Sequence, residues 1–494
     1  MVQLQKKNVI YVSGIILACL LLGILVVFLF HKESQGNELA SEQQTQHTQE
    51  SFWTEYVTEE ILETETERVT EVVTESEVVL ETEQQEETES EIGPIVKEYF
   101  LPVITITTEN QKAIVEKDTK IPGTFSLEYK GDMEYPNIES ASMTIKGRGH
   151  STWELQKKPY KIKFDEKQSL FGLTAAKEWV LLANHADKSL VRNKLAMDIG
   201  TILNHVAFSP HAYNVDVMIN GEYMGVYTLL EQIEVKEGRV PGETDGVEVD
   251  TDYLLEIGGE AEKTSFGTNM FHSLLCFYVE IKNPDSDVLT EEQYEYVGNY
   301  LVTVDSAVKS LDGYEQYLDV PSVIDWFLLN ELSYNIDGTF RRSTYLLKEK
   351  GGKMRIATYW DYDYAFGNFW RDVEPYDEWI CHGNEVTVED EYIRENWMTF
   401  LLQDPAFCAQ LKQRWNEVKA EIHHTAMATI EDAQRNVAPS AERNFARWTG
   451  VLGKKIQYEN SNCAYISTYE GQLEYLRAFV NKRYEWMDRE IGAM

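Results

Sequence analysis

The sequence predicts an α+β body with a β-rich first lobe and a helix-rich second lobe, preceded by a transmembrane helix and an acidic stalk. Three observations support this prediction. Residues 9–30 form an unbroken apolar run, residues 31–98 are rich in Thr, Glu and Gln, and strand-like alternation begins only after residue 100. Within the body the strand patterns come first and helical patterns dominate beyond residue 395, which is an order typical of α+β proteins.

The apolar run VIYVSGIILACLLLGILVVFLF, residues 9–30, contains no charged residue and is long enough to span a bilayer. A secretory signal would have a shorter apolar core followed by a small-residue cleavage site, which this sequence lacks. Lys6 and Lys7 precede the run, so the positive-inside rule favours a cytoplasmic tail, residues 1–8. The sequence therefore predicts a single-pass membrane protein whose body lies on the extracytoplasmic side.

Residues 31–98 are predicted to form a disordered stalk. Between residues 33 and 98 there are twenty Glu, against Arg68 and Lys97 as the basic residues. Repulsion between like charges and the scarcity of apolar residues favour an extended chain over a charged helix.

The overall charge and the cysteine spacing exclude two classes of function. The formal net charge of the chain is −38, which argues against a nucleic-acid partner and is compatible with a basic protein partner. The five cysteines show no CxxC spacing and therefore predict neither a zinc site nor a disulfide framework.

The body, residues 99–494, opens with strands. Alternation of apolar and polar residues predicts strands in LPVITITTEN, GTFSLEY, ASMTIKGRGHSTW, PYKIKF and EWVLLAN. Residues 213–234 predict a hairpin, with Asn220-Gly221 as its turn, and Gly351-Gly352 marks the turn of a second hairpin. Helical spacing of apolar residues predicts helices over 189–203 and 322–335.

Two basic segments could meet an anionic ligand. In KGRGHSTW, residues 146–153, backbone amides of the Gly-containing turn can surround phosphate oxygens, and Arg148 can add charge-assisted hydrogen bonds. Its spacing matches neither a Walker A loop nor a dinucleotide fingerprint, so a tight turn with exposed polar residues is the simpler interpretation. In KKPYKIKF, residues 157–164, one lysine could contact a phosphate, although a solvated strand edge would look the same.

Two acidic segments follow. Asp337 lies in a polar loop between a predicted helix and strand, where Asn, Asp and Gly are also ordinary turn residues. In WDYDYAFG, residues 360–367, Asp361 and Asp363 would share one face of an extended segment, as exposed acids or as ligands of a hard cation such as Mg²⁺. A loop acid, a hairpin and a second acid before Gly follow the order of a kinase catalytic loop and metal-binding segment.

Taken together, these segments resemble the CotH family of spore-coat atypical protein kinases. The resemblance covers roughly residues 100–490 and rests on KGRGHSTW, KKPYKIKF, WVLLANHADKSLVRNKLA, NGEYMGVYTLLEQIE, NELSYNID and WDYDYAFG, in that order. It implies a divergent, two-lobed protein-kinase-like fold. It also implies transfer of the γ-phosphoryl group of ATP, with Mg²⁺ or Mn²⁺, to Ser or Thr in basic, Ser/Thr-rich envelope or spore-coat proteins.

The resemblance also implies roles for individual residues. Asp337 would be the catalytic residue that accepts the proton of the substrate hydroxyl. Asp361 would bind the metal ion and Asp363 would assist it. The residues implied for ATP binding are Arg148 and Ser151 of the Gly-containing segment, Lys161 or Lys163, Arg192, which would organise the cleft, and Glu231, which would lie near the adenine.

Two departures from the family pattern keep other functions open. His150 stands where the family commonly has Asn, and Arg342 stands where a kinase-like loop has the Asn that binds a second metal ion. An inactive or weakly active surface binding protein, acting as an adhesin or scaffold for a protein or glycan ligand, is therefore the alternative. A glycan hydrolase is a third hypothesis, since it would need two carboxylates about 5–10 Å apart in a groove.

Overall fold

The computed structural model describes residues 101–130, 135–258, 265–266, 270–272, 278–369, 377–380 and 395–494. The tail, the apolar run and the stalk predicted within residues 1–98 lie outside the described residues. The described body is mixed α/β, as predicted: strands dominate its first part, and helices dominate from residue 397 onward.

Seven strands of the first part close into a barrel. In chain order they are β1 (Val103–Thr108), β2 (Ile121–Glu128), β3 (Ile138–Gly147), β4 (Tyr160–Gln168), β5 (Ala176–Leu182), β6 (Ala212–Ile219) and β7 (Glu222–Glu231). Their spatial order is β1-β2-β3-β4-β5-β7-β6, and parallel pairing of β1 with β6 closes the ring. Alternate residues point inward, as Tyr160, Ile162 and Phe164 do on β4. The β-rich lobe predicted from the sequence is thus a closed barrel.

Both predicted hairpins are confirmed. Strands β6 and β7 pair antiparallel, and Asn220 and Gly221 have φ angles of +52° and +80° between them. Two successive residues with positive φ match the twist of the flanking strands, which is why Asn-Gly is favoured there. The second hairpin joins β11 (Thr344–Lys348) to β12 (Met354–Thr358).

A second sheet contains β11 and β12 together with three strands that the sequence analysis did not single out. These are β8 (Tyr253–Ile257), β9 (Met270–His272) and β10 (Tyr278–Asn283). The order in this sheet is β12-β11-β8-β10-β9. The sheet therefore places β8 beside the hairpin that leads into WDYDYAFG.

Helices make up most of the rest of the described chain. They are α1 (Ser151–Glu154), α2 (Arg192–Ile202), α3 (Glu291–Ser310), α4 (Val320–Ser333), α5 (Trp397–Leu401), α6 (Pro405–Asp432), α7 (Ala438–Arg447), α8 (Ser461–Ala464) and α9 (Tyr469–Ala493). Short 3₁₀ helices occupy Glu109–Gln111 and Tyr314–Gln316, and a π-helical turn, Ala433–Val437, joins α6 to α7. The predicted helices 189–203 and 322–335 correspond to α2 and α4.

Helix α4 forms the centre of the helix-rich part. Every residue from Ser322 to Ser333 is buried, and Asp319 caps its first turn by accepting a hydrogen bond from the Ser322 amide. Tyr334, with φ +49°, ends the helix in the left-handed conformation. A helix that is packed on all sides gives the loop that follows it, which carries Asp337, a rigid base.

The predicted localisation and membrane partner need correction. The part of the chain that the structure describes contains no helix long and apolar enough to cross a bilayer. Its longest helices, α6 with 28 residues and α9 with 25, carry charged residues throughout, whereas a span needs about 20 mainly apolar residues. Residues 9–30, on which the prediction rested, lie outside the described residues.

Candidate functional site

A pocket opens where the end of the barrel meets α2 and the segment after β12. It brings together groups of opposite charge from distant parts of the sequence. The polar and charged side chains that line it are Arg148, Thr152, Lys157, Asn184, His185, Asn193, Asp361 and Asp363. Of the residues predicted to form a site, the structure thus gathers Arg148, Asp361 and Asp363 around one cavity.

The two acids of WDYDYAFG do not lie on a strand, contrary to the expectation that they share a strand face. Strand β12 ends at Thr358, and Asp361 adopts a left-handed backbone with φ +69°. The Tyr362 amide donates a hydrogen bond to Asn193 Oδ1 at 2.9 Å, which ties the turn to α2. Both acids reach the pocket because the chain turns after the strand.

The aromatic residues around these acids pack in the hydrophobic core. Tyr362 and Phe366 are fully buried and pack in the main hydrophobic cluster, as does Trp360. Trp360 also carries the guanidinium of Arg148 at 5.4 Å from its ring centroid, a distance at which a cation is attracted by an aromatic ring. This last contact links an aromatic residue of WDYDYAFG directly to a charged group of the pocket lining.

Arg192 stabilises the backbone of residues 360–367, which we call the acid segment. Its fully buried guanidinium pairs with Asp187 Oδ1 at 2.6 Å and donates from Nε to the carbonyls of Ala365 at 3.1 Å and Phe366 at 3.4 Å. Arg192 is absent from the residues that line the pocket. Its contacts stabilise the backbone of the acid segment, and its predicted role in organising the ATP cleft stays a prediction.

A glycine allows the segment to end in close contact with α9. Gly367 has φ +79°, and a Cβ at this position would approach Phe479 Cδ2 and Tyr475 Oη to 2.7 Å. Both the backbone conformation and the close packing therefore require glycine. Together with Arg192, this contact fixes the backbone on the far side of the two acids.

The acids form a region of strong negative potential. Burial raises the pKa of Asp363 well above its usual value, and the carboxylates of Asp361, Asp337 and Asp187 raise it further. Burial also raises the pKa of Asp337, although Arg341 opposes this shift. Carboxylates that repel one another in this way favour binding of a cation.

Two carboxylates of the pocket lining, those of Asp361 and Asp363, are the candidate ligands for the predicted magnesium ion. Within the described ranges no three His, Cys, Asp or Glu side chains are arranged to hold a metal. Mg²⁺ is commonly held by one or two carboxylates and takes its other ligands from water and substrate phosphates. The residues present are compatible with such an ion.

Lys157 is a second cation of the lining, which the sequence analysis included in KKPYKIKF but did not favour. It is 1% exposed; its ammonium donates to Asn444 Oδ1 at 2.8 Å and to the Val226 carbonyl, and lies 4.6 Å from the Tyr227 ring centroid. Burial lowers the pKa of Lys157 well below its usual value, although the carboxylates of Asp216 and Asp187 oppose this shift. The sequence contains no signal that distinguishes Lys157 from the other three lysines of this segment.

The two lysines that the sequence analysis favoured for phosphate binding, Lys161 and Lys163, lie away from the pocket. Lys161 and Lys163 alternate with the buried residues of β4 and point out of the barrel, where they pair with Glu178 at 2.5 Å and 3.0 Å. Neither lines the pocket. Strand alternation explains this, because inward positions of β4 are occupied by Tyr160, Ile162 and Phe164. The structure therefore does not bring these two lysines to the acids.

Glu231 is also separate from the pocket lining. It ends β7 in a buried position, pairs with Arg239, and accepts a hydrogen bond from the His211 amide at 2.9 Å. These contacts satisfy its carboxylate within the barrel end. The predicted role of Glu231 beside an adenine stays a prediction.

The Gly-containing segment contributes Thr152 as well as Arg148 to the pocket lining. Ser151, the predicted contact, begins α1, whereas Thr152 is part of the lining. Gly149 has φ +84°, and a Cβ there would lie 2.2 Å from Thr152 Oγ1. The glycine therefore makes room for the threonine hydroxyl at the edge of the pocket.

The loop after α4 connects Asp337 to the acid segment. Arg341 forms an ion pair with Asp337, and the Ser343 hydroxyl donates to Asp361 Oδ2 at 2.9 Å. Asn335 Nδ2 donates to the Asp361 carbonyl at 3.3 Å. The structure thus brings the three predicted acids, Asp337, Asp361 and Asp363, into one electrostatically coupled group.

Comparison with known proteins agrees with these motifs. A family model described as CotH kinase protein matches residues 145–487, a range that includes the pocket lining from Arg148 to Asp363. Inner spore coat protein H of Bacillus subtilis (strain 168) is 26% identical over 263 residues, which are 52% of this chain and 64% of that relative. The chain thus covers less than two thirds of this relative's length. Because the family model matches more than half of the sequence, the chain belongs to the CotH kinase protein family.

Proposed function

We propose that the protein transfers the γ-phosphoryl group of ATP to a Ser or Thr hydroxyl of a protein substrate. The observation that supports this proposal most directly is the pocket whose lining combines Arg148 and Lys157 with Asp361 and Asp363. Cations suit the phosphates of a nucleotide, and carboxylates suit the divalent ion that accompanies them. On this proposal the barrel and the helix-rich part act as the two lobes of a divergent protein-kinase-like fold.

The pocket residues divide between the nucleotide and the ion. Arg148 and Lys157 would bind phosphate oxygens, and Thr152 would add a hydroxyl. Asp361 and Asp363 would hold Mg²⁺ or Mn²⁺, which when bound neutralises phosphate charge during transfer. Arg192 and Asn193 keep the acid segment in place, because phosphoryl transfer depends mainly on positioning and charge neutralisation.

Asp337 accepts the proton of the acceptor hydroxyl. The hydroxyl oxygen forms a bond to the γ-phosphorus while the bond from that phosphorus to the β–γ bridging oxygen breaks, and ADP leaves with the electron pair. The proton passes to Asp337 and then to water. The raised pKa of Asp337 improves it as a proton acceptor, since burial increases its affinity for a proton.

The substrate is a basic protein rich in Ser and Thr. The net charge of −38 would attract such a partner and repel acidic ones. The relative named inner spore coat protein H makes coat proteins the first substrates to test.

Incorporation of radiolabelled phosphate tests this proposal. The full chain is incubated with γ-labelled ATP, Mg²⁺ or Mn²⁺, and a basic Ser-rich peptide, alongside Asp337→Ala and Asp361→Ala. Each variant should lose at least about 100-fold in transfer, as expected for removal of a proton acceptor or an ion ligand. The matched control is Asp165→Ala, which removes an exposed carboxylate from β4 and should transfer as the unmodified protein does.

A binding protein without transfer activity is the second hypothesis, because Arg341 pairs with Asp337 and Arg342 replaces the expected Asn. Thermal unfolding with ATP and Mg²⁺ separates the two. A ligand at 100 times its Kd stabilises a protein by about 2.7 kcal/mol. Stabilisation without transfer would indicate a nucleotide-binding protein that has lost catalysis. If ATP and Mg²⁺ produce neither stabilisation nor transfer, the remaining hypothesis is that the protein binds a protein or glycan ligand.

A further inference from the structure

The ammonium of Lys157, a residue of the pocket lining, is oriented by groups that carry no charge. It donates one hydrogen bond to Asn444 Oδ1 at 2.8 Å and another to the Val226 carbonyl, and it lies 4.6 Å from the centroid of the Tyr227 ring. Asn444 belongs to α7 and is 3% exposed. These contacts orient the ammonium but do not neutralise it.

The carboxylates that act on the charge of Lys157 belong to other ion pairs. Asp216 and Asp187 favour the charged form of Lys157 against the effect of burial. Asp216 pairs with Arg443 at 2.7 Å, and Asp187 pairs with Arg192 at 2.6 Å. Because an arginine compensates each carboxylate, much of the charge of Lys157 is left for an anion in the pocket.

The end of strand β5 explains why Lys157 and Asn444 meet. The last pair between β5 and β7 is Leu182 with Thr228. Val226 lies beyond that pair, so β5 cannot bond its backbone groups. The Val226 amide donates to Asn444 Oδ1 at 3.1 Å, and the Val226 carbonyl accepts from Lys157. The two side chains thus satisfy backbone groups that a longer strand would have paired.

The neighbouring glycine makes room for this arrangement. Gly225 has φ +103°, and a Cβ there would lie 2.3 Å from Asn444 Oδ1 and 3.2 Å from Lys157 Nζ. The orientation of the Asn444 amide follows from its partners, since the Val226 amide and the Lys157 ammonium are both donors and require an oxygen. The contact between Asn444 and Lys157 is therefore specific in both position and chemistry.

The residue after α7 also contacts the pocket lining. The ring of Trp448 meets the ring of His185 edge to face, with centroids 5.9 Å apart, and His185 lines the pocket. The Trp448 indole donates to the Met224 carbonyl of β7 at 2.9 Å. The end of α7 is thus attached to β7 and to the pocket wall, which keeps Asn444 in place beside Lys157.

We infer that Asn444 is a positioning residue for Lys157, and that α7 thereby influences how tightly the pocket binds nucleotide phosphates. This inference rests on the proposed phosphoryl transfer. Lysine has a flexible four-carbon stem, so an acceptor that holds its ammonium in advance reduces the entropy lost when a phosphate binds. A neutral amide oxygen does this without cancelling the positive charge.

A double-mutant cycle in nucleotide binding tests this role. The full chain, Asn444→Leu, Lys157→Met and the double variant are titrated with a non-hydrolysable ATP analogue and Mg²⁺. Asn444→Leu should weaken binding by about fivefold or more, the effect of losing one hydrogen bond that orders a charged group. In the Lys157→Met background the same substitution should change the affinity by less than about twofold, because no ammonium is left to position.

Arg447→Gln is the matched control on the same helix. Arg447 pairs with Glu222 and donates to the Tyr223 carbonyl at 3.2 Å, and it is not part of the pocket lining. Its loss removes contacts between α7 and β7 but spares those of Lys157, so the affinity should stay within about twofold of the unmodified protein. If Asn444→Leu fails to fold, Asn444→Ser replaces it, because the smaller side chain leaves space for a water molecule and should lose affinity in the same direction.

Three results would overturn the inference. The first is an Asn444 variant that binds the analogue as tightly as the unmodified protein. The second is an equal loss of affinity from the Asn444 substitution with and without Lys157, which would mean that Asn444 acts by another route. The third is an equal loss in Arg447→Gln, which would show that α7 only stabilises the barrel. All three leave the proposed function intact, whereas failure of the unmodified protein to bind the analogue would contradict that function itself.

Discussion

The buried ion pair between Arg192 and Asp187 provides the most direct test of what stabilises the acid segment. Arg192 and Asp187 are both fully buried, and Arg192 also donates to two carbonyls of the acid segment, those of Ala365 and Phe366. Replacing Arg192 by Met keeps much of the volume but leaves Asp187 as an uncompensated buried charge. Removing one partner of such a pair costs about 3–5 kcal/mol.

The two carbonyls that lose their donor add to this cost. Each hydrogen bond contributes about 1 kcal/mol to stability, so the two bring the total to about 5–7 kcal/mol. A body of roughly 390 residues has an unfolding entropy near 0.8 kcal/mol per degree, so Tm should fall by about 6–9 °C. The acid segment would also loosen, which should weaken binding of ATP.

Thermal unfolding of the full chain measures this effect, with two further variants for comparison. The double variant Asp187→Asn, Arg192→Met removes the stranded charge and should be more stable than Arg192→Met alone. Arg414→Met breaks the pair with Asp325, 2.7 Å long and outside the pocket lining, and should lower Tm without changing ATP binding. A Tm for Arg192→Met within about 1 °C of the unmodified protein would refute this account of the pair.

Three more predictions address single pocket residues. Lys157→Met should weaken binding of an ATP analogue at least about 10-fold in a fluorescence titration. Lys163→Met should leave this binding unchanged, because of the two lysines only Lys157 lines the pocket. Equal losses of affinity in both variants would instead indicate a general electrostatic effect. Burial lowers the pKa of His185 to about 4, so the unfolded state binds more protons between pH 4 and 6.5. Stability should therefore fall by up to about 3 kcal/mol as the pH drops through that window, and His185→Gln should flatten the curve of unfolding free energy against pH; an unchanged curve would exclude His185 as the cause. Gly367→Ala should lower Tm by several degrees, since φ +79° and the contact with Tyr475 leave no room for a methyl group; a Tm equal to that of the unmodified protein would show that α9 can shift to accept it.

Much of the local structure could be predicted because its causes are local. The Asn220-Gly221 turn follows from the backbone angles that only a few residues adopt readily, and the structure has those angles. Helix α4 follows from its apolar spacing. In each case the interactions lie within a few residues of one another, so the sequence is sufficient.

Other features needed the complete fold. The barrel closes through pairing of β1 with β6, whose residues Val103 and Asp216 are far apart in the sequence. No periodicity within either strand indicates that partner. The turn at Asp361 was also missed, because WDYDYAFG alternates like a strand whereas the contacts with Asn193 and Arg192 bend it.

By itself, the sequence determined the α+β character of the body, the two hairpins, the CotH family and the residue types available for the chemistry. Tertiary structure decided which of those residues meet. The sequence does not distinguish Lys157 from Lys161 and Lys163. In the structure, strand alternation directs Lys161 and Lys163 to Glu178 outside the barrel, whereas Lys157 precedes the strand and lines the pocket. Burial and charge neighbours, which set the properties of these groups, arise only when segments distant in the sequence are packed together.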